Sequence, residues 1–182
     1  FYNIHVETFG QGNRSTVGSQ YNVSWPEFRF LREASRTATI AGLAEAEMTR
    51  KGDPRPVRAQ LVSDNLLPLT GGRPVLGHFF EPKETISPGS TPVVVLSYHA
   101  WREWFAGDPA VAGKTIALNR QPFTVIGVAG ERTTGPVLLT PDVWIPLTMQ
   151  AITRAGDPLI GSATTGWIQL FARPQPGQNK DA

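Results

Sequence analysis

The stretch from Thr91 to Glu131, TPVVVLSYHAWREWFAGDPAVAGKTIALNRQPFTVIGVAGE, limits what this chain can fold into more than any other segment, because strand, helix, turn and hairpin signals follow one another without a gap. Val93 to Leu96 is a short unbroken apolar run of the kind a buried strand makes, and Ser97 stands where a helix N-cap oxygen would accept an orphan backbone N–H. Tyr98, Trp101 and Phe105 recur at spacings of three and four, so they share one face of the following helix, with Trp104 beside them. Trp101 and Phe105 are the anchors this face offers to a core, and Leu96 can staple Trp101. Gly107 is expected to stop the helix. Asp108-Pro109 reads as a second N-cap with Pro at N1, good for one further turn that Gly113 ends. Thr115 to Leu118 and Phe123 to Val128 are strand-like, and the four residues Asn119, Arg120, Gln121 and Pro122 between them suit a hairpin.

The rest of the chain organises around similar units. Tyr2, Ile4, Val6 and Thr8 alternate with polar residues and predict a half-buried strand over 2–8, followed by a polar Gly/Ser-rich loop from Gly10 to Gln20. Ser24-Trp25-Pro26-Glu27 is a capping box with Pro in the first turn, where Val23 can staple Phe28, and the helix it opens is expected to run to about Arg36. Thr37 to Met48 and Val57 to Val62 read as two strands joined by a turn at Arg50 to Pro56. Ser63 opens a turn that Pro68 and Gly71-Gly72 must close. A second strand-helix-strand-strand set spans 75–147, and Gly166 to Ala172 is a final strand. No internal repeat is visible.

Composition excludes several function classes. The hydrophobic share of 40% against 18% charged describes a globular chain, and 182 residues suffice for one domain or two modest lobes. The net charge of +2 comes from interspersed signs, as where Arg29, Arg32 and Arg36 lie among Glu27 and Glu33, so a pI of 9.2 does not imply nucleic acid as a partner. The absence of cysteine removes disulfide frameworks, thiolate metal sites and cysteine nucleophiles together. No run approaches the ~18 apolar residues of a membrane helix. With Phe1 opening directly on a strand-like segment, the chain reads as a soluble part of something longer.

Candidate chemistry is sparse. Gly107 to Thr115, GDPAVAGKT, imitates a phosphate-binding loop, but five residues rather than four separate its glycines, and it leaves a helix and enters a strand where such a loop does the reverse. His99 and Glu103, four apart on the expected helix, would supply only two metal ligands; His5 and Glu7 on the first strand are no better. Ser97 beside His99 lacks the G-x-S-x-G elbow, and Ser97 is already explained as a cap. Glu45 and Glu47 share one strand face and read as solvated. No catalytic, cofactor-binding or metal-binding residue is assigned.

Four ordered blocks carry a family resemblance: LVSDNLLPLTGGRPVLGHFF (Leu61 to Phe80), the Thr91 to Glu131 stretch, DVWIP (Asp142 to Pro146) and WIQLFARPQPG (Trp167 to Gly177). Together they resemble the MacB-like periplasmic core domain of MacB/FtsX-type ABC transporter permeases, over about residues 20 to 178. The chain departs from the usual pattern in having Asn119-Arg120 where Asn-Gly is common, Leu66 or Leu67 where an aromatic stands, and His78 where Arg follows Gly77. The resemblance implies an α+β fold in two lobes: a discontinuous porter-like β-α-β lobe, residues 1–72 and 164–182, lacking the amphipathic helix that usually follows, and an inserted sabre-like lobe, residues 73–163. Gly71, Gly72, Gly161 and Gly166 then become candidate hinges. It implies a non-catalytic domain on the periplasmic or extracellular face of a bacterial membrane. Such a domain transmits ATP-driven movement of the permease helices and their ATPase, and contacts an adaptor protein, a second permease copy or cargo. The competing expectations are a free-standing ligand-binding or sensor module and, third, a hydrolase gathering Ser97, His99 and a carboxylate.

Overall fold

In the computed structural model, residues 2–3, 22–89, 91–136, 140–153 and 159–175 are described. The expected first strand is seen at Tyr2–Asn3 (β1); its remainder, with His5, Glu7 and the Gly10 to Gln20 loop, lies outside the described residues. Asn22–Val23 (β2) leads into helix α1, Trp25–Ala34. Strands Ala38–Arg50 (β3) and Asp53–Val62 (β4) form the longest hairpin, followed by a helical turn at Leu66–Leu69 (α2) and by Pro74–Gly77 (β5). The second set is Val93–Leu96 (β6), Tyr98–Phe105 (α3), Thr115–Leu118 (β7), Gln121–Ala129 (β8) and Val143–Pro146 (β9). A short helical stretch that includes Gln150–Thr153 (α4) precedes the last strand, Ile168–Pro174 (β10).

The ten strands of the described residues join one mixed parallel and antiparallel sheet, within an α+β fold, in the order β1-β10-β3-β4-β9-β6-β8-β5, with β2 beside β10 and β7 pairing both β3 and β8. The path therefore closes on itself. From β3 it runs through β4, β9, β6, β8 and β7 and returns to β3, where Arg50 pairs Leu118. Two cores form on the alternating faces of these strands. One gathers Leu61, Val94, Leu96, Phe123, Val125, Val143 and Ile145; the other gathers Leu43, Val62, Val93, Val95, Trp144 and Phe171. Both cores draw on residues from before and after β5.

Local chemistry accounts for the elements, and tertiary contacts move several boundaries. The β3–β4 turn is Lys51-Gly52 alone, with Gly52 at φ +84, so Pro54 and Pro56 lie within β4 rather than in a loop. The hairpin is carried further by its partners: Thr49 bonds Asn119 through backbone and side chain, and the register shifts at Thr49/Arg50 to accommodate the tip. Where a plain turn was expected after Ser63, Leu66, Leu67 and Leu69 are buried by one helical turn, closed by Thr70 N–H on the Leu66 carbonyl. Helix α3 ends at Phe105, two residues before Gly107, with its cap Ala106 left-handed at φ +52. The Asp108-Pro109 segment is a turn, not helix: Asp108 Oδ1 accepts from Ala110 N–H at 2.8 Å and no further helical turn follows. The β7–β8 connection is Asn119-Arg120, both left-handed at φ +47 and +66, because β8 already begins at Gln121.

Two positions carry steep steric demands. Gly127 in β8 faces Gly77 across the ladder, and a Cβ there would lie 2.3 Å from the His78 carbonyl oxygen. Gly127→Ala is expected to destabilise by about 3 kcal/mol, since backbone and not a flexible side chain must move; a chemical-denaturation midpoint within error of the wild type would contradict this packing. At the hairpin, Arg120 holds the left-handed position that favours Gly, so Arg120→Gly is expected to raise stability by about 0.5–1 kcal/mol. Thermal melts compared side by side would show it, and a lowered Tm would refute the turn geometry.

Candidate functional site

The side chains singled out for chemistry are separated and internally engaged. Ser97, 2% exposed, accepts from Ala100 N–H at 3.1 Å as the cap of α3, while His99 lies out on the surface with Nε2 3.3 Å from Glu103 Oε2. Glu103 gives its other oxygen to Arg55 at 2.7 Å. Glu45 and Glu47 are both exposed on one face of β3, opposite Gln60 and Arg58. In the Gly107 to Lys114 loop the amides of Gly107, Asp108, Ala110, Gly113 and Lys114 all donate within the protein, and Lys114 Nζ pairs with Asp108 Oδ2. A phosphate cradle needs such amides free and convergent. No group of three or more His, Asp or Glu able to hold a metal occurs among the described residues.

The anchors and glycines take these places. Ser24 Oγ accepts from Glu27 N–H while Glu27 Oε2 accepts from Ser24 N–H at 2.9 Å, a reciprocal capping box that starts α1. Trp101 and Phe105 are half-buried and pack against the first core; Ala100 is the residue of α3 that is fully buried. Trp101 Nε1 donates to the Asp108 carbonyl at 2.9 Å and so ties the helix to the turn that follows. Gly71 is exposed at φ +82. Gly72 and Gly166 are places of close approach, where a Cβ would meet Leu67 O at 2.9 Å and Asn22 O at 2.2 Å, and Gly161 is open.

What the structure gathers is a contact junction between the hairpin and the second strand-helix set. At one seam β4 pairs β9 in parallel, Ala59 to Val62 against Val143 to Pro146. Asp142 locks its start: Oδ2 accepts from Arg58 N–H at 2.9 Å, and its carbonyl accepts from Ser97 N–H at 2.9 Å. Within the seam Trp144 Nε1 donates to Gln60 Oε1 at 3.0 Å, both residues buried. At the other seam Asn119 Oδ1 accepts from Thr49 N–H at 2.8 Å, and Asn119 Nδ2 donates to the Ile152 carbonyl. Arg50, 4.6 Å above the Trp104 ring, bonds Asp53, which also holds Arg55. Sequence reading did not find the roles of Arg50, Arg55, Asn119 or the Gln60–Trp144 pair, because Trp104, Glu103, Thr49 and the pair's own members are remote, 84 positions apart in the last case, while Asp53 pairs locally with Arg50 and Arg55 inside what reads as a plain turn. The one available signal was Asn119 itself, a residue suited to a left-handed turn.

The Asp53 carboxyl is held well below the usual carboxylate range, first by the Arg55 guanidinium and backbone N–H and then by Arg50. A depressed pKa confers stability that is complete above the ordinary carboxylate pKa and is lost only as pH falls through the folded value. Asp53→Asn is expected to lower the denaturation midpoint at neutral pH, with the gap to the wild type narrowing as strong acid is approached. A gap independent of pH would assign Asp53 a steric role instead.

No curated protein matches the chain. Among solved structures, the periplasmic region of MacB from Actinobacillus actinomycetemcomitans superposes with a TM-score of 0.63 at 16% identity, covering 88% of this chain and 68% of that one. The extracellular domain of the noncanonic ABC-type transporter YknZ from Gram-positive bacteria gives 0.63 at 13% identity, covering 86% and 75%. At these identities the likeness is one of fold. The sequence family described as the MacB-like periplasmic core domain matches residues 2–182, and the chain belongs to it, as the extracytoplasmic domain of a MacB-like ABC transporter permease.

Proposed function

We propose that this domain does no chemistry of its own and works by contact: it relays ATP-driven movement of the permease helices to the far side of the membrane. Family membership makes it part of a permease whose partners are transmembrane helices and an ATPase. On the outer side it meets a periplasmic adaptor protein, a second permease copy or cargo, through surface rather than through a cleft. The observation that supports this reading most is the engagement of the polar groups suited to chemistry. Ser97 is a cap, Glu103 is shared between Arg55 and His99, and Lys114 is paired with Asp108. A serine nucleophile would need a base within hydrogen-bond reach, and Ser97 Oγ instead serves the Ala100 amide. The relay requires only that the domain be displaced, and movement of the whole domain or movement between lobes at the candidate hinges Gly71, Gly72, Gly161 and Gly166 would serve it alike.

The test is made in the full-length permease. Replacing residues 22–175 with a flexible Gly/Ser linker is expected to leave ATP binding at the ATPase intact and to abolish export. Export that survives the replacement would end the proposal. Turnover of small ester or peptide substrates by the purified 182-residue chain, lost in Ser97→Ala, would replace it with an enzymatic one.

A further inference from the structure

The closed strand path has a mechanical consequence. Strands β3 and β4 come from the part of the chain before β5, whereas β9, β6, β8 and β7 come from the part after it, and the ring that joins them is closed at two seams. A ring closed twice cannot open about one hinge. Swinging the two parts apart must break either the β4–β9 ladder or the β3–β7 contact. At the first seam the break would strip Trp144 Nε1 of Gln60 and leave two buried polar groups unpaired, with the Asp142 bonds to Arg58 through side chain and backbone lost as well. At the second it would separate Asn119 from Thr49 in both backbone and side chain, lift Arg50 from Trp104 and divide Arg55 from Glu103. Each core would also be split, because Leu61 shares one with Leu96, Phe123 and Ile145, and Leu43 and Val62 share the other with Val95 and Trp144. Close packing of this kind resists gradual deformation.

We infer that the two parts of the chain move as one rigid body throughout the transport cycle, and that any displacement is of the whole domain, with the glycines at 71–72 and 161–166 serving close packing and turns. Gly72 and Gly166 fit that assignment, since each lies against backbone where a Cβ would collide, a fixed geometry and not a free pivot. The inference takes the relay role proposed above as its setting, but its test reads rigidity separately.

The chain contains no cysteine, so labels can be placed without first removing native thiols from it. Glu45→Cys and Thr124→Cys put a spin label on exposed positions of β3 and β8, one in each part. In the full-length permease reconstituted in a bilayer, the distance between them is measured by pulsed electron paramagnetic resonance without nucleotide and with ATP trapped by vanadate. The distance is expected to be the same in both states. A shift of more than about 5 Å, the scale of a one-turn slip of packed elements, or a second population in either state, would overturn the inference. Relaxation of the same labels by a nickel-chelating lipid reports the height of the domain above the membrane. A change in that relaxation with a constant interlabel distance supports both proposals. Constant relaxation sinks the relay role and leaves the rigidity result standing.

Discussion

Closure of the sheet path at two seams is the constraint on which the rest of this structure depends. The parallel pairing of Ala59 to Val62 with Val143 to Pro146 brings together strands far apart in the chain, and parallel strands need both faces covered. Alternation along β4, β9 and β6 supplies that cover. Leu61, Ile145 and Val94 point to one core and Val62, Trp144 and Val95 to the other, so the same pairing that joins the two parts of the chain also creates both cores. The buried Gln60–Trp144 bond adds register to this, since a slip by one residue would put the indole N–H and the amide oxygen on opposite faces.

Charge is used at the rim of the ring in a consistent way. The Arg50, Asp53, Arg55 and Glu103 chain links hairpin tip to helix at the surface, where single ion pairs contribute little to stability and are screened by salt. Its value is geometric: each partner fixes the next, and Arg50 brings the hairpin onto Trp104, whose flat face accepts a guanidinium. The arrangement keeps the outline of the rim fixed while the apolar seams supply the holding force.

Local signals were readable where the physics is local. The unbroken Val93 to Leu96 run is a strand buried along its whole length, and the α+β class that the family resemblance implied is the class the structure has. Readings failed where a remote partner decided the outcome. Pro54 and Pro56 look like loop residues until Asn119 and Leu118 hold the hairpin tip in strand geometry. Asp108-Pro109 looks like a helix start, but Asp108 spends its side chain on Ala110 and Lys114, and the chain turns toward β8 instead, where Gly113 bonds Val125. The four-residue α2 was invisible because one helical turn leaves too little periodicity to read and owes its existence to the burial of three leucines.

By itself, then, the sequence determined the short-range features of this protein: where strands alternate, where helices are capped, where a left-handed turn must fall, and the ordered blocks that mark its family. Those depend on neighbours within a few positions, so the residues carry them wherever the chain goes. Only the tertiary structure decided that β4 meets β9, that β7 returns to β3, and that Arg55 finds Glu103. Pairings of that kind are selected by shape and burial across the whole fold, and many alternative partners of equal local suitability exist until the core excludes them.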